Sequence, residues 1–146
     1  MPEINLKFFI SDAQYSALDS CYEFFRKEIK MKIVKYTDIE PVEFNNEVAM
    51  GIKARVLIGK NDGAENFCMR IFKIAENGYT PRHTHEWEHE MFIHSGRGEV
   101  LDGNEWRPVS PGTAIFIPGN VEHQIKNSGS EPLVMLCIIP SGVPEL

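Results

Sequence analysis

The pattern of apolar and polar positions over residues 1–30 predicts a strand followed by a helix. Apolar side chains first alternate with mostly polar ones, at the two-residue period of a half-buried strand, at Ile4, Leu6, Phe8 and Ile10. Ser11 and Gln14 then have the spacing of a helix capping box. An apolar stripe at three- and four-residue steps follows, made of Tyr15, Leu18, Tyr22, Phe25 and Ile29. We therefore expect residues 1–30 to form a strand–helix extension that docks through this stripe.

From Met31 onward the pattern is typical of an all-β domain. Residues 31–36 form a short strand-like run, and a clean alternation follows at Met50, Ile52, Ala54, Val56 and Ile58. Asn61-Asp62-Gly63 is a hairpin-type turn that leads into a strand at residues 67–72. Turn signals then recur, each separated by a short apolar run, among them Asn77-Gly78, Asp102-Gly103 and Pro118-Gly119. Residues 31–146 are thus predicted to form one sandwich, jelly roll or barrel.

Composition and charge argue against a nucleic-acid-binding or membrane-spanning protein. The 146-residue chain carries a formal charge of −6, and its lysines and arginines form no cluster of the kind that nucleic-acid phosphates require. No apolar run approaches the roughly 20 residues that span a bilayer, and the N-terminus lacks the layout of a signal peptide. We therefore expect a cytoplasmic protein without nucleic-acid or membrane partners. The three cysteines, Cys21, Cys68 and Cys137, are widely spaced and odd in number, which indicates reduced thiols.

The histidines carry the clearest chemical signal. Of the five in the chain, His83, His85 and His89 fall within seven residues, and His123 lies on a later strand-like segment. His83 and His85 share a face if the segment is extended, because strand side chains alternate. Imidazole is the commonest metal-ligating side chain, so the cluster predicts a metal site closed by folding. His94 has no partner at ligand spacing and is interpreted as a structural or exposed histidine.

The residue that follows the His83–His85 pair is ambiguous from pattern alone, since His89 or Glu90 could complete the set. If His89 faces inward, its strand neighbours Met91 and Ile93 do too, and a one-residue slip would exchange the faces. An apolar pocket around the ion would suit small organic molecules. The predicted pocket residues are Met91, Ile93, Ile125, Phe72 and Cys137.

These spacings resemble those of the cupin superfamily. The first cupin motif runs from Gly through His-x-His and an acidic residue to Gly, and the positions that fall on it are Gly78, His83, His85, His89 and Gly96. Two departures are a spacer after Gly78 that is one residue short and a histidine, His89, in the usual Glu position. The second motif is matched by Gly112, Pro118, His123 and Asn127. Asn120 replaces its second glycine, a change that left-handed backbone tolerates.

The resemblance covers about residues 31 to 140 and is greatest to small single-domain cupins with four histidines. It implies a double-stranded β-helix barrel, often dimeric, and favours His89 over Glu90. The implied metal ligands are His83, His85, His89 and His123, and the implied ion is manganese. Imidazole also accepts iron, nickel, copper and zinc.

Four neutral imidazoles would leave the charge of a divalent ion uncompensated, so the centre should attract an anionic or enolate-type ligand. The chain shows no obvious nucleophile or separate catalytic dyad. We therefore expect a metal-dependent oxidoreductase of dioxygenase type that acts on a small organic molecule. The alternatives are a non-catalytic cupin that binds or senses a small ligand, a metal-assisted isomerase or lyase, and a closed structural zinc site.

Overall fold

Nine β-strands make up about half of the part of the chain that the structure describes, residues 31–146. The structure is a computed structural model, and the strand and helix predicted for residues 1–30 lie outside the described residues. In chain order the strands are β1 (Val42–Phe44), β2 (Met50–Ile58), β3 (Phe67–Tyr79), β4 (His89–Ser95), β5 (Gly98–Asp102), β6 (Glu105–Val109), β7 (Ala114–Ile117), β8 (Ile125–Asn127) and β9 (Leu133–Pro140). Two single-turn 3-10 helices lie at Tyr36–Asp38 and Lys60–Asp62.

All nine strands belong to one antiparallel sheet that is centred on β3. The order runs β6–β5–β8–β3–β9–β4–β7, with β2 paired to β3 and β1 to β2. Because β3 is 13 residues long, its first part pairs with β9 while its last residue, Tyr79, pairs with Lys126 of β8. The sheet therefore curls, and the prediction of an all-β jelly-roll barrel is confirmed.

The turn between β2 and β3 follows the sequence pattern. Lys60–Asp62 form a single 3-10 turn, and Gly63 continues it with a left-handed backbone at φ 82°. Glycine adopts this conformation without the steric penalty that a Cβ would bring. The two long strands that this turn joins then pair in antiparallel register over most of their length, with Ala54 opposite Phe72.

The strand predicted at residues 31–36 is wrong. Residues 31–35 have no regular structure, and Tyr36 begins a 3-10 turn. Met31 and Ile33 are 86% and 88% exposed, so two of the apolar side chains of this run are largely open to solvent. A run of β-formers becomes a strand only where another strand accepts its hydrogen bonds, which is why propensity misleads here.

The core lies between the inner faces of β3, β4, β8 and β9. Its fully buried side chains include Ile74, Ile93, Ile125, Leu133 and Met135. β9 is buried at five of its eight positions and lies between β3 and β4 in the sheet. Burial of each such apolar side chain contributes about 1.5–3 kcal/mol to the free energy of folding, so these side chains are a main source of stability for residues 31–146.

Within residues 31–146, the structure contains no helix with the length and apolar character needed to cross a membrane.

Candidate metal centre

Two irregular segments, one after β3 and one before β8, bring the first pair of histidines together. His83 and His123 form an isolated antiparallel bridge, in which the His83 amide donates to the His123 carbonyl at 3.2 Å and the reverse bond measures 3.0 Å. Thr80 anchors this bridge, because its amide donates to the carbonyl of Ile125 and its hydroxyl accepts from the Ile125 amide. The pairing is a continuation of the β3–β8 contact beyond the regular strands.

A close backbone approach holds His85 beside the same bridge. The Asn120 amide donates to the His85 carbonyl at 2.6 Å, with Asn120 in the left-handed region at φ 64°. A Cβ on Gly119 would lie 2.0 Å from the Glu86 carbonyl oxygen, so only glycine allows the two loops to touch. Trp87 then stacks on the His85 ring, with the ring centroids 4.1 Å apart and an interplanar angle of 5°.

The four predicted ligand histidines converge. The candidate ligand atoms of His83, His85 and His123 all lie within 4.8 Å of one another. His89, at the start of β4, places its Nε2 2.8 Å from Nε2 of His85, and its ring centroid lies 5.0 Å from that of His123. His94 points outward and is exposed, apart from the cluster. On β4 the buried positions are those of His89, Met91 and Ile93, while Glu90 is exposed.

Three of the imidazoles are oriented by backbone carbonyls. Nδ1 of His83 donates to Pro81, Nδ1 of His85 to Trp87 and Nδ1 of His123 to Val121, at 3.0, 2.8 and 2.9 Å. A carbonyl oxygen only accepts, so each neutral ring carries its proton on Nδ1 and presents a bare Nε2. Nε2 of His123 is buried and has no hydrogen-bond partner. An unsatisfied buried acceptor among converging imidazoles is what a divalent cation would satisfy, so the residues fit a metal ion.

His89 is held differently, by side chains of two other strands. Arg70 on β3 places Nη2 3.4 Å from Nδ1 of His89 and 2.9 Å from Sγ of Cys137, which is on β9. Because a guanidinium only donates, Nδ1 of His89 accepts and the ring proton lies on Nε2. That proton is donated to Nε2 of His85. His89 thus holds the tautomer opposite to that of the other three histidines.

Burial favours the neutral form of three imidazoles of the centre, those of His85, His89 and His123. It lowers the pKa of His89 to about 3, and the positive charge of Arg70 acts in the same direction. Burial also lowers the pKa of His85 and that of His123. The neutral ring is the form that binds a metal ion, so protons compete with metal less strongly here than at an ordinary histidine.

A cavity of about 200 Å³ opens beside the histidines. Three of the five predicted pocket residues line it, namely Phe72, Met91 and Ile125. Ile93 does not, because it lies one alternation further along β4 and is fully buried in the core. Cys137 does not line it either, since its thiol lies against Arg70 and His89 at the base of the site. The remaining lining residues are Phe44, Ala49, Ile52, Arg70, Thr80, Pro81, His83, His89, His123, Met135 and Leu146.

The acidic and amide side chains near the histidines do not orient them. Glu88 and Glu90 have no hydrogen bond to an imidazole, and backbone carbonyls occupy the Nδ1 positions instead. Asn127 is buried and donates to the carbonyls of Ile74 and Glu131, so it ties β8 to the end of β3 and to the following turn. Asn127 is therefore structural, and Trp87 is the neighbour that positions a histidine.

Two of the described residues are cysteines with buried thiols. Cys68 and Cys137 are free, and burial raises the pKa of Cys68 to about 11 and also raises the pKa of Cys137. Protonated buried thiols are poor nucleophiles, which agrees with the predicted reduced state and provides no catalytic cysteine among the described residues.

Comparison with known proteins identifies the family. The cupin domain model matches residues 70–139. The solved structure of the polyketide cyclase RemF from Streptomyces resistomycificus is 33% identical and superposes with a TM-score of 0.73, over 79% of this chain and 82% of that one. The chain therefore belongs to the cupin superfamily.

Curated relatives with enzymatic names match over shorter stretches. A glucose-6-phosphate isomerase from Thermococcus onnurineus is 30% identical over 94 residues, which are 56% of this chain and 50% of that protein. An L-ectoine synthase from Vibrio campbellii is 31% identical over 78 residues, 53% of this chain and 61% of that protein. The matched stretches thus cover between 25% and 61% of the length of the curated relatives.

Proposed function

We propose that this protein is a metal-dependent enzyme that cyclises or isomerises a small, largely apolar molecule without net oxidation. The observation that carries the proposal is the unpartnered Nε2 of His123, buried beside two further imidazoles whose Nδ1 atoms are also occupied by backbone carbonyls. The names of the relatives, a cyclase, an isomerase and a synthase, support chemistry of this kind.

His83, His85 and His123 would hold the ion. His89 was predicted as the fourth ligand, but with Arg70 at its Nδ1 and a proton on its Nε2 it lies beside these three as a hydrogen-bond donor. A divalent ion bound there would supply Lewis-acid polarisation of a carbonyl or hydroxyl oxygen. The identity of the ion, manganese in the first instance, is part of the proposal.

The side chains of the cavity would orient the bound molecule, exclude water from it and donate a hydrogen bond to it. Phe72, Met91 and Ile125 form apolar walls that exclude water from the bound molecule. His89 holds a proton at Nε2, because Arg70 occupies its Nδ1, and its low pKa keeps the ring neutral. A neutral imidazole can donate a hydrogen bond to a developing oxyanion, as neutral histidines do in other isomerases.

A dioxygenase is the second candidate. It is favoured by the all-imidazole donor set, which leaves coordination positions for a substrate or an oxidant, as oxygenase sites require. We place it second because the relatives described above are named a cyclase, an isomerase and a synthase.

One experiment separates the candidates. Metal-loaded protein is incubated with a panel of aromatic β-diketones, phenols and alkenes, with and without oxygen, and products are analysed by mass spectrometry alongside an oxygen electrode. Isomeric or dehydrated products in the absence of oxygen support the proposal, and oxygen-dependent products that gain oxygen atoms support the dioxygenase. Stoichiometric binding with every compound recovered unchanged would overturn both and favour a non-catalytic binding module.

We also propose that the protein is a homodimer, as the cupin resemblance implies. The outer face of β4 and β7 supports this, since Phe92 and Phe116 are 45% and 60% exposed there. Light scattering on the full chain would give twice the monomer mass, and a monomeric mass would contradict the proposal.

A further inference from the structure

Among residues 31–146, Arg70 is the one charged side chain that lines the cavity, and it is 7% exposed. It sits on β3 opposite Val56 of β2 and Cys137 of β9, with its guanidinium carbon 5.1 Å from the Phe72 ring centroid. Its neighbours on the same inward-facing alternation, Cys68 and Phe72, are apolar. A permanent positive charge is therefore built into the wall of a cavity whose other described polar side chains are neutral imidazoles and one hydroxyl.

The charge of Arg70 is not neutralised within residues 31–146, because no carboxylate lies at ion-pair distance from it. Its polar contacts are the Glu145 main-chain carbonyl at 3.2 Å, Sγ of Cys137 and Nδ1 of His89. The carboxylate of Glu145 accepts instead from the Lys60 amide at 2.8 Å. Nε of Arg70 is buried and has no hydrogen-bond partner.

An unpaired buried guanidinium is costly, and arginine cannot lower that cost by losing its proton. The other polar side chains at the cavity wall are imidazoles and the Thr80 hydroxyl, none of which brings a negative charge. Leu146 also lines the cavity, and no ion pair joins it to Arg70. Within residues 31–146, nothing therefore supplies a counter-charge to the guanidinium or an acceptor to its Nε. A guanidinium binds planar oxyanions through parallel N–H donors.

We propose that the molecule bound in this cavity carries an anionic oxygen, as a carboxylate, phenolate or enolate, and that Arg70 recognises this oxygen through Nε. The size of the molecule follows from the cavity of about 200 Å³, since a cavity of about 150 Å³ accommodates benzene. The ligand class is thus an oxyanion on a single-ring apolar skeleton. This inference deepens the proposed function and rests on the cavity being its substrate site.

The test compares two probes of the same shape on metal-free wild-type protein kept in chelator. Benzoate and benzamide are titrated at neutral pH, and binding is followed by NMR shifts of the cavity methyl groups of Met91 and Ile125. Benzoate should bind at least about tenfold more tightly, because hydrogen bonds to charged groups are worth about 1.5–3 kcal/mol. Equal affinities, tighter binding of benzamide, or no binding of benzoate at millimolar concentration would overturn the proposal.

Three variants assign the preference to Arg70. R70M should abolish the preference for benzoate while benzamide still binds, and R70K should retain part of it because the charge remains. The matched control is R55M, which removes one positive charge from β2 on the opposite face of the sheet, since Arg55 precedes the Val56 that pairs with Arg70. If R70M folds poorly, the affinities of wild-type protein and R70K for benzoate and benzamide are sufficient to decide whether Arg70 causes the preference. A preference that survives R70M, or one that R55M removes, would count against the assignment.

The outcome is separable from that of the proposed function. Benzoate binding is measured without metal, so a failed preference leaves the metal-dependent chemistry standing. Conversely, a tenfold preference for benzoate in a protein that turns over none of the tested compounds would leave the Arg70 site standing.

Discussion

The two sides of the histidine centre differ in what holds their imidazoles in place. One wall, here called the bridge wall, consists of His83, His85 and His123 on irregular segments, and each imidazole is held by a carbonyl two residues away. The other, the strand wall, consists of Arg70, His89 and Cys137 on β3, β4 and β9, and side chains from distant parts of the chain hold His89.

Because the two walls hold their imidazoles in opposite tautomers, one site can bind both a cation and an oxyanion. Local carbonyls select the Nδ1–H tautomer whatever the rest of the site does, so the bridge wall presents bare Nε2 atoms suited to a cation. The guanidinium of Arg70 selects the opposite tautomer of His89, so the strand wall presents a proton and a positive charge suited to an oxyanion. We infer that the bridge wall holds the metal and the strand wall the polar end of the substrate.

The largest expected effect comes from removing a bridge-wall ligand. Replacing His123 with alanine should weaken retention of manganese or zinc more than about 100-fold, because changes in the partners of a ligand alone cost about 10- to 100-fold. Competition with a chelating dye, together with elemental analysis, measures this. His94→Ala is the matched control, since His94 is an exposed histidine outside the cluster, and it should leave retention unchanged. If His123→Ala retains metal as the wild type does, the bridge wall is not the metal site.

Acidification should destabilise the metal-free protein. Unfolded histidine titrates near pH 6.5, whereas burial holds the pKa of folded His89 at about 3. Between these values the unfolded state binds more protons, so the free energy of unfolding falls as the pH is lowered through this window and is unaffected by His89 above it. Each such histidine contributes up to about 1.4 kcal/mol per pH unit.

Urea unfolding in neutral and mildly acidic buffers tests this prediction. His89→Gln should reduce the slope of stability against pH, because it removes a histidine whose pKa burial lowers to about 3. An identical slope in His89→Gln and the wild type would show that the acid sensitivity arises elsewhere.

A smaller effect on metal binding is expected at the strand wall. His89→Ala should weaken metal retention by about tenfold, the lower end of the range for groups that support a site rather than form it. The same competition titration serves, with His123→Ala as the reference. A loss as large as that of His123→Ala would make His89 an equal ligand, and the contrast between the two walls would disappear.

The smallest effect is expected at the base of the strand wall. Cys137→Ser preserves a small acceptor for Nη2 of Arg70, so the free energy of unfolding should fall by less than about 1 kcal/mol and metal retention should not change. Chemical denaturation and the chelator titration measure both quantities. A clear loss of metal in this variant would mean that Cys137 supports the histidines directly.

Part of the histidine cluster could be predicted from the sequence because its signal is local. His83 and His85 are two residues apart and therefore share one face of an extended segment. Alternation alone left His89 and Glu90 open, and the resemblance to the cupin motifs favoured His89, which the structure places with Met91 on the inner face of β4. Turn chemistry was readable for the same reason, as the left-handed Asn120 in place of a glycine shows. The chain also showed its all-β class through regularly spaced turns and short apolar runs.

Arg70 escaped prediction because the run that contains it is apolar on both faces. Cys68, Phe72 and Ile74 share its alternation, yet Met69 and Ile71 on the other face are apolar too, so periodicity cannot say which way Arg70 points. The signal that could have found it is a single cation within such a run, which is costly to bury unless a partner or ligand meets it. Ile93 was expected at the pocket for the converse reason, since alternation defines a face but not a depth.

The amino-acid sequence alone was enough to predict the β-class of residues 31–146, the turns between strands and the close group His83, His85 and His89, since all of these depend on residues a few positions apart. Only the tertiary structure decided which imidazoles face bare nitrogens toward one another, which one is paired with Arg70, and where the core ends and the cavity begins. Those properties depend on contacts between strands far apart in the chain, such as Arg70, His89 and Cys137, and no local pattern encodes the distance between them.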